Sequence, residues 1–165
     1  MAGACLMARD AGRPVLSRPV LCRQVLCYPA LDFGQDTESV RLFDGVFLSV
    51  KPGNWLETQY LAGQEPTAYA APLRAATLAG LPPALIVGAG RDPLRDDARS
   101  YARRLDDDGV AVSHVEYAGT MHGFLNFSGV LSAGDHAIDL ITADLRQELK
   151  GLPGEIGVTA ASEPS

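Results

Sequence analysis

Asp92 stands in Gly90-Arg91-Asp92-Pro93-Leu94, directly after the apolar run LPPALIVGAG at 81–90. His122 follows 30 residues later in Thr120-Met121-His122-Gly123, after a further run, VAVSHVEYAG at 110–119. A carboxylate within reach of an imidazole holds its tautomer and stabilises its charged form while a proton moves. The pair therefore fits acid–base work beside a nucleophile. Asp92 also suits a plainer task, because Asp ahead of Pro is a common helix start whose side chain caps the first turn. The two roles are compatible. A lone histidine between Gly119 and Gly123 could simply close a loop; its pairing with Asp92 is what raises the chemical reading.

Other candidates fall away. His114 lies within the 110–119 run and His136 in the last helix, where both read as structural or solvent-facing. Gly88-Ala89-Gly90 hints at a dinucleotide loop, but the third glycine of G-x-G-x-x-G would fall at Pro93. Asp106-Asp107-Asp108 reads as a solvated helix end, not a metal site. Cys5, Cys22 and Cys27 lack zinc spacing and an even count, so they read as reduced thiols, with Cys27 in the core. No metal and no cofactor is expected.

The elements that must position Asp92 and His122 follow from periodicity. Residues 2–10 have helix-forming composition and run into Gly12 and Pro14. QVLCYPAL at 24–31 reads as a buried parallel strand. From Asp32 to Pro72 scattered apolar residues and glycine and proline breaks suggest two short helices with loops. Residues 81–90 form a second strand. Between Leu94 and Asp108, Leu94, Ala98, Tyr101, Ala102 and Leu105 recur at helical spacing, with Arg95, Asp96, Asp97, Arg99, Arg103 and Arg104 assigned to the opposite face. Gly109 suits a C-cap, 110–119 a third strand, and 133–150 a last helix with Ile138, Ile141, Leu145 and Leu149 on its stripe. The tail at 151–165 lacks periodicity and is expected to be disordered.

Strand and helix in alternation, with short connections, imply an α/β fold around a parallel sheet with right-handed crossovers. Such a crossover returns the chain beside the strand it left. Asp92 and His122 are then expected at the carboxyl ends of neighbouring strands, where open α/β sheets gather reactive groups.

Composition narrows the partners. Fourteen basic and twenty acidic side chains give a net charge of -6, which argues against nucleic acid. No apolar run approaches the roughly 18 residues of a membrane span, and no signal-peptide pattern opens the chain, so a cytoplasmic protein is expected.

The string GLPPALIVGAGRDPLRDDARSYARRLDDDGVAVSHVEYAGTMHGF at 80–124 resembles the acid-to-histidine segment of the hormone-sensitive-lipase-like, fold-3 α/β hydrolases. In that family D-P-L supplies the triad acid and H-G-F the triad histidine. QVLCYPALD at 24–32 is similar to the family's strand and Y-P turn, and the Trp55-to-Pro72 stretch is similar to the lead-in to its next strand. The resemblance covers nearly all of residues 1–150. It implies esterase or lipase chemistry on small carboxylic esters, with Asp92 as acid and His122 as general base. It also implies a partial hydrolase fold of about three parallel strands with flanking helices, and part of a helical cap at 33–72.

The departures matter as much. The family places an H-G-G oxyanion segment and a G-D-S-A-G nucleophile elbow upstream of these motifs. Neither string is present in the 165 residues; if Ala2-Gly3 is laid on the end of the elbow, Met1 takes the serine's place. Ser17, Ser39, Ser49, Ser100, Ser113, Ser128, Ser132 and Cys5 all lack the G-x-S-x-G setting. The first expectation is therefore a truncated carboxylic-ester hydrolase, inactive alone. One half of a split esterase and a non-catalytic binding or oligomerisation module are the alternatives. In each case the strand at 24–31 loses a neighbour, so self-association or a complementing N-terminal half is expected along it.

Overall fold

The computed structural model describes residues 1–11, 21–34, 36–50 and 55–150. Gly12, Pro14, Ser17 and the expected disordered tail lie outside the described residues. In chain order the elements are α1 (Ala2–Asp10), β1 (Gln24–Cys27), α2 (Glu38–Phe43), α3 (Trp55–Leu61), a 3₁₀ turn at Pro72–Arg74, β2 (Ala84–Arg91), α4 (Arg95–Asp107), β3 (Val112–Met121), a 3₁₀ turn at Phe124–Phe127 and α5 (Ser132–Lys150). The strands form a parallel sheet in the order β1-β2-β3.

β2 is the sheet's centre, and its sequence shows why. Ala84, Leu85, Ile86, Val87 and Ala89 are all nearly inaccessible, because one side meets α1 and α4 while the other meets α5. A strand covered on both faces reads as a continuous apolar run instead of an alternating one. Ile86 and Ala84 join Cys5 and Leu6 of α1 and Ala98, Tyr101 and Leu105 of α4 in one core. Leu85, Val87 and Ala89 join Phe124 and Ala137 in the other.

β1 is shorter than the run that suggested it, ending at Cys27. Tyr28 has φ +37°, outside the extended region, and Pro29 follows. The Tyr28 N–H still donates to the Val87 carbonyl at 2.7 Å, so the chain turns away only after its last sheet bond.

Two facial assignments need correction. On α4, Arg95 and Asp97 do not share a solvent face with Arg99: they are 9% and 5% exposed. Asp97 belongs to the stripe Leu94, Asp97, Tyr101, Leu105, at spacings of three and four, so the helical period itself turns it inward. On α5, Gly134 and Ala137 are buried, whereas Ile138, Leu145 and Leu149 are 41%, 37% and 44% exposed. The helix approaches the preceding loop closely: a Cβ on Gly134 would lie 3.2 Å from the Ser128 nitrogen and 3.3 Å from the Phe124 oxygen. Small residues are selected there, and that sets the rotation of the helix.

The cysteines also differ from expectation in placement. Cys5 is the core residue at 1% exposure, while Cys27 is half-buried; all three are free thiols.

Candidate functional site

Asp92 leaves the end of β2 with no exposed surface. One carboxylate oxygen accepts the Leu94 N–H at 2.9 Å, and the Asp92 carbonyl accepts the Arg95 N–H at 3.0 Å, so the D-P-L turn locks the backbone ahead of α4. The other oxygen, Oδ2, accepts from His122 Nδ1 at 2.9 Å. The turn-capping role and the histidine-orienting role coexist in one side chain, an oxygen for each.

His122 follows the end of β3. Gly123, at φ +77°, lets the chain reverse directly after the imidazole, a conformation that costs other residues strain. With Nδ1–H bound to Asp92, Nε2 on the far side of the ring is the nitrogen available to the cleft that His122 lines. The ring is only partly accessible, at 22% of its side-chain surface.

Bringing the two strand ends this close requires Gly90. The β2–β3 register shifts between Ala89 and Arg91, and a Cβ on Gly90 would fall 2.4 Å from the Ala118 oxygen. Gly90 thus serves strand approach beside the site, which is a physical role for the G-A-G string that phosphate binding could not supply.

Three site neighbours escaped the sequence. The Tyr28 ring packs on the imidazole, centroids 4.6 Å apart and planes tilted by 58°. Burial pushes the Tyr28 hydroxyl up from its ordinary pKa, with the nearby Cys27 and Asp92 adding to the effect. Phe47, at φ +69°, would contact any side chain on Gly123, its ring lying 3.3 Å from the position of such a Cβ. Non-glycine residues at positive φ are uncommon and cluster at functional sites, so both aromatics carried a signal visible only in the backbone. The third is Asp97. Its Oδ2 accepts the N–H groups of Leu31 and Asp32 at 2.9 and 3.2 Å, and burial pushes its pKa up to about 6 despite those bonds. An acid on the apolar stripe of α4 was the available clue.

Tyr28, Asp97 and His122 border a cleft of about 640 Å³ that Phe33, Leu48 and Tyr60 also line. Phe33 and Tyr60 stack at 5.8 Å. Of the serines, Ser49 lines the cleft but its hydroxyl donates to Asp44 at 3.0 Å. Ser39 is buried, donating to the Pro93 carbonyl at 2.7 Å and accepting the Asp96 N–H, so it braces the turn behind Asp92. Ser128 donates to Asp135.

His114 and His136 lie apart from this pair. The His114 Nε2 is buried without a hydrogen-bond partner, and desolvation lowers the ring's pKa. His136 shares a 2.7 Å hydrogen bond through Nδ1 with the Tyr117 hydroxyl. Nor is Asp108 merely solvated: it accepts the Leu78 N–H and the Thr77 hydroxyl, which hold its carboxyl below the ordinary range.

A paired acid and histidine at the carboxyl ends of adjacent parallel strands, opening on an aromatic cleft, is an arrangement of hydrolase type. Residues 1–126 match the family model described as alpha/beta hydrolase fold, and the chain belongs to that family, in its fold-3, hormone-sensitive-lipase-like branch. It is 43% identical over 136 residues to the carboxylic ester hydrolase LipN of Mycobacterium tuberculosis, an alignment that covers 76% of this chain and 34% of LipN. The crystal structure of DphMB1 is similar with a TM-score of 0.78 and 38% identity, over 89% of this chain and 48% of that one. The Pyrobaculum calidifontis esterase gives a TM-score of 0.74 and 34% identity, over 90% of this chain and 48% of its own. The chain therefore spans about a third of LipN and about half of these solved structures. Among the described residues no helix is long and apolar enough to cross a membrane.

Proposed function

We propose that Asp92 and His122 are the acid and base of a Ser-Asp-His carboxylic-ester hydrolase, and that these 165 residues on their own do not turn over esters. The observation that carries this reading is the 2.9 Å bond from His122 Nδ1 to a wholly buried Asp92, which leaves Nε2 for the cleft. In this chemistry Nε2 takes the proton of a serine hydroxyl as the serine oxygen attacks the ester carbonyl. The imidazolium then gives that proton to the departing alkoxide oxygen, releasing the alcohol and leaving an acyl-serine. Water, deprotonated by the same nitrogen, attacks the acyl-serine carbonyl, and the imidazolium returns that proton to the serine oxygen as the acid leaves. Asp92 keeps accepting the Nδ1–H bond and stabilises the imidazolium.

The serine and the oxyanion donors are groups that another polypeptide segment must contribute, each missing donor costing about 2.7–4 kcal/mol of transition-state stabilisation. The segment 33–61, with Phe33, Leu48 and Tyr60 on the cleft, would form part of a substrate-covering cap.

Mixing the chain with a polypeptide that carries the H-G-G and G-D-S-A-G segments of a related esterase tests the reading. Short-chain ester hydrolysis should appear only in the mixture and vanish with His122→Ala. Hydrolysis by the 165 residues alone, or activity in the mixture that survives His122→Ala, would overturn it.

Among the described residues β1 has a partner strand on one side only, which favours a second, non-catalytic reading. Gln24 and Tyr28 donate toward β2, so the alternation of parallel pairing turns the Val25 and Cys27 N–H groups outward, beside a cleft of about 720 Å³ between α1 and β1. Such an edge suits a second copy or a complementing half. Val25→Asp should then abolish association in sedimentation while His122→Ala leaves it intact; a monomer at high concentration would count against this reading.

A further inference from the structure

The loop from Tyr28 to Asp32 touches the proposed proton-carrying group at one end and α4 at the other. At the first end the Tyr28 ring lies against His122. At the second, the Asp97 Oδ2 accepts both the Leu31 and the Asp32 N–H. Between them the loop contains Pro29, which restricts φ, and Tyr28 itself at φ +37°, a strained conformation that persists only where the surroundings enforce it.

Asp97 and Asp92 ride on one short segment: Asp92 sets the turn and Asp97 points inward from the first turn of α4. A closed circuit results, running from Asp92 to His122, across the ring contact to Tyr28, along the loop to Leu31, and through Asp97 back to α4. The Asp32 carboxylate, accepting from Arg74 at 2.5 Å, and the Leu31 carbonyl, accepting the Leu73 N–H at 3.1 Å, tie the far side of the loop to the 72–74 turn.

We propose that Asp97 is a positioning residue for His122: its carboxylate clamps the 28–32 loop, and the loop holds the Tyr28 ring against the imidazole so that Nε2 points into the cleft. The arrangement is costly in a way that packing alone does not require. Asp97 occupies a leucine-like place on the α4 stripe and is 5% exposed, and burial raises its pKa to about 6. An apolar side chain there would fill the stripe but orphan two backbone donors beside the site, which is costly when they are buried without a partner. Asparagine would keep both bonds, because a single oxygen accepts them.

The proposal rests on His122 as the proton-carrying group, but its test reads the ring directly and needs no turnover. NMR of the full 165-residue chain, labelled at histidine and at leucine and valine methyls, follows the His122 ring protons and the Leu85 and Val87 core methyls together. Tyr28→Leu marks where the His122 signals move when the tyrosine ring current is lost. Asp97→Leu should move them to that same place with the core methyls unchanged, and Asp97→Asn should restore the parent positions. Unmoved His122 signals in Asp97→Leu, or an Asp97→Asn spectrum shifted as far as that of Asp97→Leu, would overturn the clamp.

If Asp97→Leu disperses the core methyls, one glycine inserted between Ala30 and Leu31 serves in its place, since it keeps the Asp97 bonds while uncoupling them from Tyr28. A displaced His122 signal supports the clamp and an unchanged one refutes it. Failure of ester hydrolysis in the complementation mixture, with His122 still held, counts against the esterase reading alone.

Discussion

Residues 84–124 and residues 33–61 use their apolar side chains in opposite ways. In the first, Leu85, Ile86, Val87, Tyr101, Leu105 and Phe124 are all at 1% exposure or less. In the second, Leu42, Phe47, Trp55 and Tyr60 are 60–72% exposed. Among the described residues, polar contacts help join the second region to the first: Ser39 to Pro93 and Asp96, and Glu38 to Arg95, whose guanidinium also lies over the Phe43 ring at 5.3 Å. The strand–turn–helix–strand unit carries its own hydrophobic partners, whereas the 33–61 segment is tied to it by hydrogen bonds and leaves Phe47, Trp55 and Tyr60 largely exposed.

The largest effect should come from placing a charge in the self-sufficient region. Val87→Asp leaves an unpaired carboxylate in a fully covered strand and should cost more than about 3 kcal/mol, seen as loss of cooperative denaturant unfolding. Gly90→Ala comes next. Its methyl group would meet the Ala118 backbone, pushing β3 from β2 at about 1–3 kcal/mol and lengthening the Asp92–His122 bond, which the His122 NMR signals would report.

Asp97→Asn tests the seam between the regions, with the opposite sign. The folded-state pKa of Asp97 is about 6, above the 3.8 of a free carboxyl, so the folded chain holds this proton more tightly. The contribution of Asp97 to stability therefore falls as pH rises from about 4 to 6 and stays low above that. The variant should lack this dependence and exceed the parent by about 1–3 kcal/mol at pH 7, checked by denaturant titration across that range.

His114 gives a smaller, mirrored effect. Its folded-state pKa lies below 6.5 because it is desolvated, with Glu116 and Arg99 as charged neighbours. The unfolded chain takes up the proton first, so the parent loses stability as pH falls below 6.5 until the folded-state value is passed. His114→Leu should flatten that slope and be neutral or stabilising by up to about 1 kcal/mol at pH 7. The smallest change should come from the other region: Leu42→Ser or Trp55→Ser should stay within about 0.5 kcal/mol in the isolated chain. A larger loss there would show that the outward aromatics already have a partner.

Much of the candidate site was legible because the signals were local. Apolar runs marked the strands, glycine and proline marked their ends, and the parallel crossover placed Asp92 and His122 on neighbouring strands 30 residues apart. Tyr28 and Asp97 were not legible, because Asp97 meets Leu31 across 66 residues and no pattern records that contact. The buried face of α5 was not legible for a related reason: side-chain size points to Ile138, Leu145 and Leu149, but the close approach at Gly134 accommodates only small residues.

From composition and period alone, the chain specified a parallel α/β sheet, a buried central strand and two chemical groups at strand ends. Those properties depend on nearest neighbours along the backbone and on the fixed hand of the crossover. Tertiary structure alone determined that Asp92 divides its two oxygens between a turn and an imidazole, that Gly90 lets two backbones close to contact, and that an acid on α4 holds the loop carrying Tyr28. Those are properties of distances between residues remote in sequence, settled only when both cores have packed.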